Sequence, residues 1–165
     1  MLAGLGKRLR QPRVLYAAVA LACAALIGYA MVLQEIEHLE PCPLCILQRY
    51  AFVVVGALAL IAALMPAFIG RLLAALATLA ALAGVGVGGW HVWLQQHPPE
   101  VSACGPSLEY LVGNLPLGRA LPRIFQGYGD CTAIDWTFLG LSIPAWSLIW
   151  LLLLAGVLVQ AQRAR

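Results

Sequence analysis

Four apolar runs set the plan of this chain: residues 14–33, 46–64, 72–94 and 143–161. Each is close to the roughly 20 residues that a helix needs to cross a bilayer. The first run contains no charged residue, and the second only Arg49, near its start. The third has His91 near its end, and the fourth is uncharged and rich in leucine. Pro66, with Gly70 and Arg71 behind it, marks a tight link between the second and third runs. No internal repeat or low-complexity linker interrupts the pattern. Residues 1–165 are therefore expected to form one all-α membrane domain, a four-transmembrane-helix bundle with two extracytoplasmic loops.

Composition agrees with that plan. With 62% hydrophobic and 10% charged residues and a mean hydropathy of +0.88, the chain lies far from a soluble domain, and most of its apolar surface is expected to meet lipid. The basic stretch "KRLRQPR" before the first run also fits the start of a secretory signal peptide. The run is long for a signal core, however, and no persuasive small-residue cleavage site precedes "QEIEHLE", so the segment reads as a retained span.

Charge orients the spans, because loops rich in Lys and Arg tend to stay in the cytoplasm. Lys7, Arg8, Arg10, Arg13, Arg71, Arg163 and Arg165 fall on one side with no acidic residue among them, a charge of +7. All seven acidic residues fall on the other side beside Arg49, Arg119 and Arg123, leaving −4 there and +3 for the whole chain. Both termini are thus expected in the cytoplasm, with loops 34–45 and 95–142 outside. The basic excess fits anchoring to an anionic inner leaflet and gives no support to nucleic-acid binding.

With that orientation four of the five cysteines face the oxidising side: Cys42 and Cys45 at the end of the first outer loop, Cys104 and Cys131 in the second. Disulfides form and persist there, so the two pairs read first as redox-active or structural disulfides. Cys23, in the middle of the first run, reads as a small buried apolar residue.

The stretch "EPCPLCILQR" carries the sharper signal. Pro43 suits the first position of a helix, which places Cys42 near the N-cap and Cys45 in the first turn. Unpaired N–H groups and the helix dipole stabilise negative charge there, and the thiolate is the reactive form of cysteine. Arg49 follows Cys45 by four residues on the same helical face, so a permanent cation can lie beside that sulfur. Such a combination suits an electron relay. Blander readings stay open: inert disulfides, a zinc site completed by His38 or His97, and Arg49 as an anchor that snorkels to the headgroups.

Between Cys104 and Cys131 the chain is broken by Pro106, Pro116, Pro122 and several glycines, yet carries Leu111, Leu115, Leu121, Ile124 and Phe125. Such a segment can lie on the membrane as short amphipathic surface pieces. If Cys104 and Cys131 are joined, the bridge closes a loop of about 27 residues, worth roughly 3–4 kcal/mol in the chain-entropy model. An accessible disulfide in a mobile loop is also a good target for an attacking thiolate.

"GVGVGG", at 84–89, formally matches a dinucleotide-binding fingerprint, but no strand precedes it and it lies inside the third run. Gly84 and Gly88 instead form a G-x-x-x-G face for close helix packing. His91, between Trp90 and Trp93, reads either as an interfacial histidine of the aromatic belt or as a functional proton donor.

Together, "PCPLCILQR", the pair Cys104 and Cys131, "GDC" at 129–131, "WTFLGLSIPAW" and the four runs resemble the DsbB family of disulfide bond formation proteins over essentially the whole chain. The resemblance implies a protein-dithiol:quinone oxidoreductase of the bacterial inner membrane, with its redox loops in the periplasm. A reduced DsbA-like thioredoxin-fold oxidase would attack Cys104, and Cys131 would then exchange with Cys42. Cys45 would face ubiquinone or menaquinone, with Arg49 and His91 near the bound cofactor; no metal is implied. Vitamin K epoxide reductase relatives also pair four helices with two cysteine pairs and a quinone. There the loop pair precedes the C-x-x-C, whereas here the C-x-x-C comes first.

Overall fold

Proline opens two of the four long helices. In the computed structural model, which describes residues 11–98 and 130–163, α1 spans Pro12–Glu37 and α2 spans Pro43–Leu64, each with Pro in its first turn. At that position the fixed φ is already helical and the missing N–H would have had no partner. Helix α3 spans Ala67–Gln96 and α4 spans Ile143–Arg163. All four are long and apolar enough to cross a membrane. Neighbours around the bundle follow chain order, with α1 closing against α4.

All four helices outrun the apolar segments that announce them, α4 by the least. Helix α1 continues to Glu37, α2 starts at Pro43, and α3 has 30 residues, about 45 Å at 1.5 Å per residue, against a hydrocarbon core of about 30 Å. The apolar runs mark the stretch that meets lipid. Helix α3 goes on beyond it, and there Gln95 finds partners within the protein.

Lipid is as apolar as leucine, so close packing and polar contacts hold such helices together. On α3 the small residues Ala74, Ala77, Ala81, Gly84 and Gly88 are all buried. A Cβ on Gly84 would lie 2.8 Å from Ala51 Cβ and 2.9 Å from Leu151 Cδ1, so the bare backbone brings α3 against α2 and α4 at once. At the α2–α3 link a Cβ on Gly70 would lie 2.7 Å from the Ala62 carbonyl oxygen. The glycine stretch in α3 is thus a packing face. Cys23 is buried in the same core, in the space that Gly56 leaves open on α2. Gln162 Nε2 donates to Thr78 Oγ1 at 3.0 Å, tying α4 to α3.

Ahead of α4 lies a small hairpin that the sequence did not announce, β1 (Thr137–Phe138) with β2 (Leu141–Ser142). Leu139 and Gly140 make its turn with φ of 53° and 78°, a conformation that glycine adopts freely and leucine rarely. Trp146 Nε1 donates to the Phe138 carbonyl at 3.0 Å and holds the hairpin on the start of α4. Cys104, Arg119, Arg123 and the amphipathic stretch expected after Cys104 lie outside the described residues.

Candidate active site

Cys42 is the N-cap of α2. Its φ of −78° and ψ of 165° are the extended geometry favoured before proline, and its Sγ accepts a hydrogen bond from the Cys45 N–H at 3.3 Å. The proline that starts the helix therefore also aims the thiol. Cys42 Sγ lies 3.0 Å from Cys45 Sγ, inside the first turn of the same helix.

Cys131 arrives from the other side. Asp130 Oδ1 accepts from both the main-chain N–H and the hydroxyl of Thr132, each at 2.9 Å, a local turn that holds Cys131 between them. Cys131 is fully buried and its side chain hydrogen-bonds that of Cys42. One member of the loop pair thus lies against the C-x-x-C, although the two are far apart in the chain.

Hydrogen bonding to Cys131, then to Cys45, and then burial push the Cys42 thiol well above its ordinary range. Reduced Cys42 therefore keeps its proton to higher pH than a free thiol. Cys131→Ala removes the largest of these causes, so the pH at which reduced Cys42 reacts with a small alkylating agent is expected to move down. Residue-resolved mass spectrometry of the alkylated protein reads this directly, and an unchanged profile would refute the coupling.

His91 comes in from α3. It is 1% exposed, whereas its neighbours Trp90 and Trp93 are 55% and 48% exposed and stack on each other at 5.0 Å. The two tryptophans take the lipid face and the histidine turns into the bundle, which decides its sidedness against the aromatic belt. Gln48, 3% exposed on α2, places its amide Nε2 3.0 Å from His91 Nδ1. An amide N–H only donates, so Nδ1 accepts and the ring proton sits on Nε2. That nitrogen faces Cys42 Sγ at 3.6 Å, and the ring also hydrogen-bonds the main chain of Cys131. Gln48→Leu would leave a buried ring nitrogen unsatisfied, at a cost on the order of 1–3 kcal/mol. It is expected to lower thermal stability and to unlock the tautomer; ¹⁵N shifts of the His91 ring that stay those of the wild-type protein would exclude this role for Gln48.

Arg49 lies one turn beyond Cys45 and is electrostatically coupled to both thiols of the C-x-x-C, while its Nη1 reaches Met31 Sδ of α1 at 3.7 Å. A cavity of about 220 Å³ opens beside it between α1, α2 and α4. Leu26, Ile27, Phe52, Trp146 and Trp150 give it apolar walls, and Cys45, Arg49, His91 and Gln95 line it as well. Gln34 also lines it, with a buried Oε1 that has no hydrogen-bond partner among the described residues. Gln95 is fixed by Ser142, whose hydroxyl donates to Oε1 at 2.7 Å, and by its own donation to the Ala133 carbonyl.

The profile of the family described as "Disulfide bond formation protein DsbB" matches residues 12–161. The chain belongs to the DsbB family. Proteins named Disulfide bond formation protein B share 51% identity over 142 residues in Azoarcus sp. strain BH72, covering 85% of this chain and 86% of the relative. The one from Aromatoleum aromaticum shares 51% over 145 residues, 87% of each, and that from Acinetobacter baumannii 49% over 140 residues, 81% and 82%. DsbB membership and four membrane-length helices make this a multi-pass membrane oxidoreductase of disulfide bond formation.

Of the residues singled out from sequence, Cys42, Cys45, Arg49, His91 and Cys131 meet at one end of this DsbB bundle, and Cys104 lies outside the described residues. Gln48, Gln34 and Gln95 were missed. The available signal was a glutamine in or beside an apolar run, since an amide in a span seeks a partner inside the protein.

Proposed function

We propose that this chain reoxidises a DsbA-like thioredoxin-fold dithiol oxidase and passes the electrons to a respiratory quinone, ubiquinone or menaquinone. On this reading both redox loops face the periplasm of a bacterial inner membrane and both termini face the cytoplasm, the orientation that the charge asymmetry favours. The observation that carries the proposal is Cys45 at the boundary between two environments: hydrogen-bonded to Cys42 on one side, lining an apolar cavity beside Arg49 on the other.

The residues around the cavity fit a quinone. Apolar walls with a few polar groups are the usual make-up of a site for a flat lipophilic ligand. Gln34 Oε1, without a hydrogen-bond partner among the described residues, is an acceptor suited to a hydroxyl of the reduced form. When bound, a quinone supplies a two-electron, two-proton sink at the higher potential that a partner as oxidising as DsbA, about −120 mV, requires.

The chain's own residues then divide the work. Partner thiolate attacks Cys104 and frees Cys131, whose thiolate attacks Cys42 and releases Cys45 as a thiolate; the partner's second thiol then breaks the bond to Cys104, and the partner leaves as its disulfide. Helix N-terminal N–H groups and Arg49 hold that negative charge at the mouth of the cavity. His91, its tautomer set by Gln48, points its Nε2 proton at the place where Cys42 and Cys131 exchange.

The test is quinone reduction by the purified protein in detergent with a reduced thioredoxin-fold dithiol as donor. One quinone reduced per donor dithiol oxidised is expected. No donor-dependent reduction of either quinone by folded protein would overturn the proposal.

A further inference from the structure

Three donors of one soft-metal type converge on the C-x-x-C. The Sγ atoms of Cys42 and Cys45 and a ring nitrogen of His91 all lie within 4.8 Å of one another. Cys42 and His91 are buried, Cys45 is half-buried, and the Cys131 side chain adjoins Cys42. Two thiolates and an imidazole on a shared centre are a ligand set for Zn²⁺ or Cd²⁺, leaving a fourth position for water or another thiol. The histidine is not one of those that sequence offered for zinc. His97 instead stacks on Trp93 at 5.1 Å, with its Nδ1 3.3 Å from the Trp93 carbonyl.

The support for these donors favours the same conclusion. Helix α2 fixes both sulfurs relative to each other, and Gln48 holds the imidazole from behind through Nδ1. A ligating histidine is ordinarily oriented by a hydrogen bond at its other ring nitrogen. The nitrogen left facing Cys42 is Nε2, at 3.6 Å from Sγ. Binding a cation there needs loss of the two thiol protons, release of the His91 ring from the Cys131 main chain and of Cys42 from the Cys131 thiol, and departure of the Nε2 proton, which can move to Nδ1 when the Gln48 amide turns its oxygen toward the ring.

We propose that Cys42, Cys45 and His91 form a redox-gated site for a thiophilic divalent cation, open only when the pair is reduced. Binding displaces the two thiol protons and moves no electron. Oxidation by a quinone, or by exchange with another disulfide, takes two electrons from the two thiolates, joins them as a disulfide and removes both anionic ligands, so the metal leaves. A cation in the site therefore holds the protein in its reduced form. Metal binding itself does not depend on the quinone reading, so either can fail without the other.

The experiment is titration of the full-length protein in detergent with Cd²⁺, following the thiolate-to-metal charge-transfer absorption, and with Zn²⁺ against a chromogenic chelator. Reduced wild-type protein is expected to bind one ion. The same protein with its cysteine pairs oxidised is expected to bind at least about 100-fold more weakly, since disulfide sulfur is no thiolate ligand. Loss of an orienting partner alone costs a metal site roughly 10–100-fold, so His91→Ala is expected to lose at least about 100-fold. Equal binding by the reduced and oxidised proteins would overturn the proposal without reference to any variant. So would undiminished affinity in a folded His91→Ala protein, which would reduce the site to two bare thiols.

Discussion

Cys45→Ser is expected to end quinone reduction while leaving a single round of partner oxidation intact. With a hydroxyl in place of that thiol no disulfide can form within the C-x-x-C, so electrons that reach Cys131 have no onward acceptor. A Cys104–Cys131 disulfide in the same protein can still accept two electrons and two protons from one donor dithiol. Catalysis therefore becomes stoichiometric: one dithiol oxidised per protein, then nothing. The substitution itself is mild, because Cys45 is only half-buried and its backbone N–H to Cys42 Sγ, the N-cap bond, is untouched. A loss of folding would thus be a poor explanation for a loss of turnover. Stopped-flow quinone absorbance, paired with thiol counting under excess donor, separates the outcomes. Continued multiple turnover by Cys45→Ser would remove the C-x-x-C from the electron path.

The bundle was legible because lipid imposes a simple grammar. A span must satisfy its backbone internally and show apolar side chains outward, so uncharged runs near 20 residues read as helices with little ambiguity. The helix ends were less legible. Glu35 and Glu37 lie in α1, and Gln95 and Gln96 in α3, although hydropathy stops earlier. The start of α2 is the exception, where Pro43 states the boundary chemically. The 137–142 hairpin was hidden because two-residue strands have no periodicity to detect and its turn places a leucine at positive φ.

At the site, local features read well and long-range ones did not. The N-cap role of Cys42 follows from residues 42–45 alone. That Cys131 lies against Cys42, or that Gln48 holds His91, depends on how α2, α3 and the segment before α4 pack. His91 shows the limit clearly. Flanked by two tryptophans, it shares their position along the helix but not their face, and a 100° step per residue turns it from lipid to core. Glycines at 84 and 88 set how closely α3 approaches, so the same small residues that pack the helices also bring His91 within reach of the thiols.

Arg49→Ala is expected to lower kcat/KM for quinone by about 100-fold or more, the scale seen when one preorganised donor to a developing anion is removed. Its guanidinium is always charged, is coupled to both thiols of the C-x-x-C, and lines the cavity. In surroundings of low dielectric a single cation counts for far more than in water. On the proposed route, formation of a mixed disulfide between the partner and Cys104 should proceed at its wild-type rate. Arg49→Lys keeps the charge but loses the planar fork, so it should recover only part of the activity. These contrasts separate the relay role from the blander one. An arginine that merely snorkels to the headgroups would affect insertion or stability, be replaced well by lysine, and leave the dependence of rate on quinone concentration unchanged. Unaltered quinone affinity and turnover in a folded Arg49→Ala protein would therefore return Arg49 to the membrane interface and leave the Cys45 thiolate to the helix N-terminus alone.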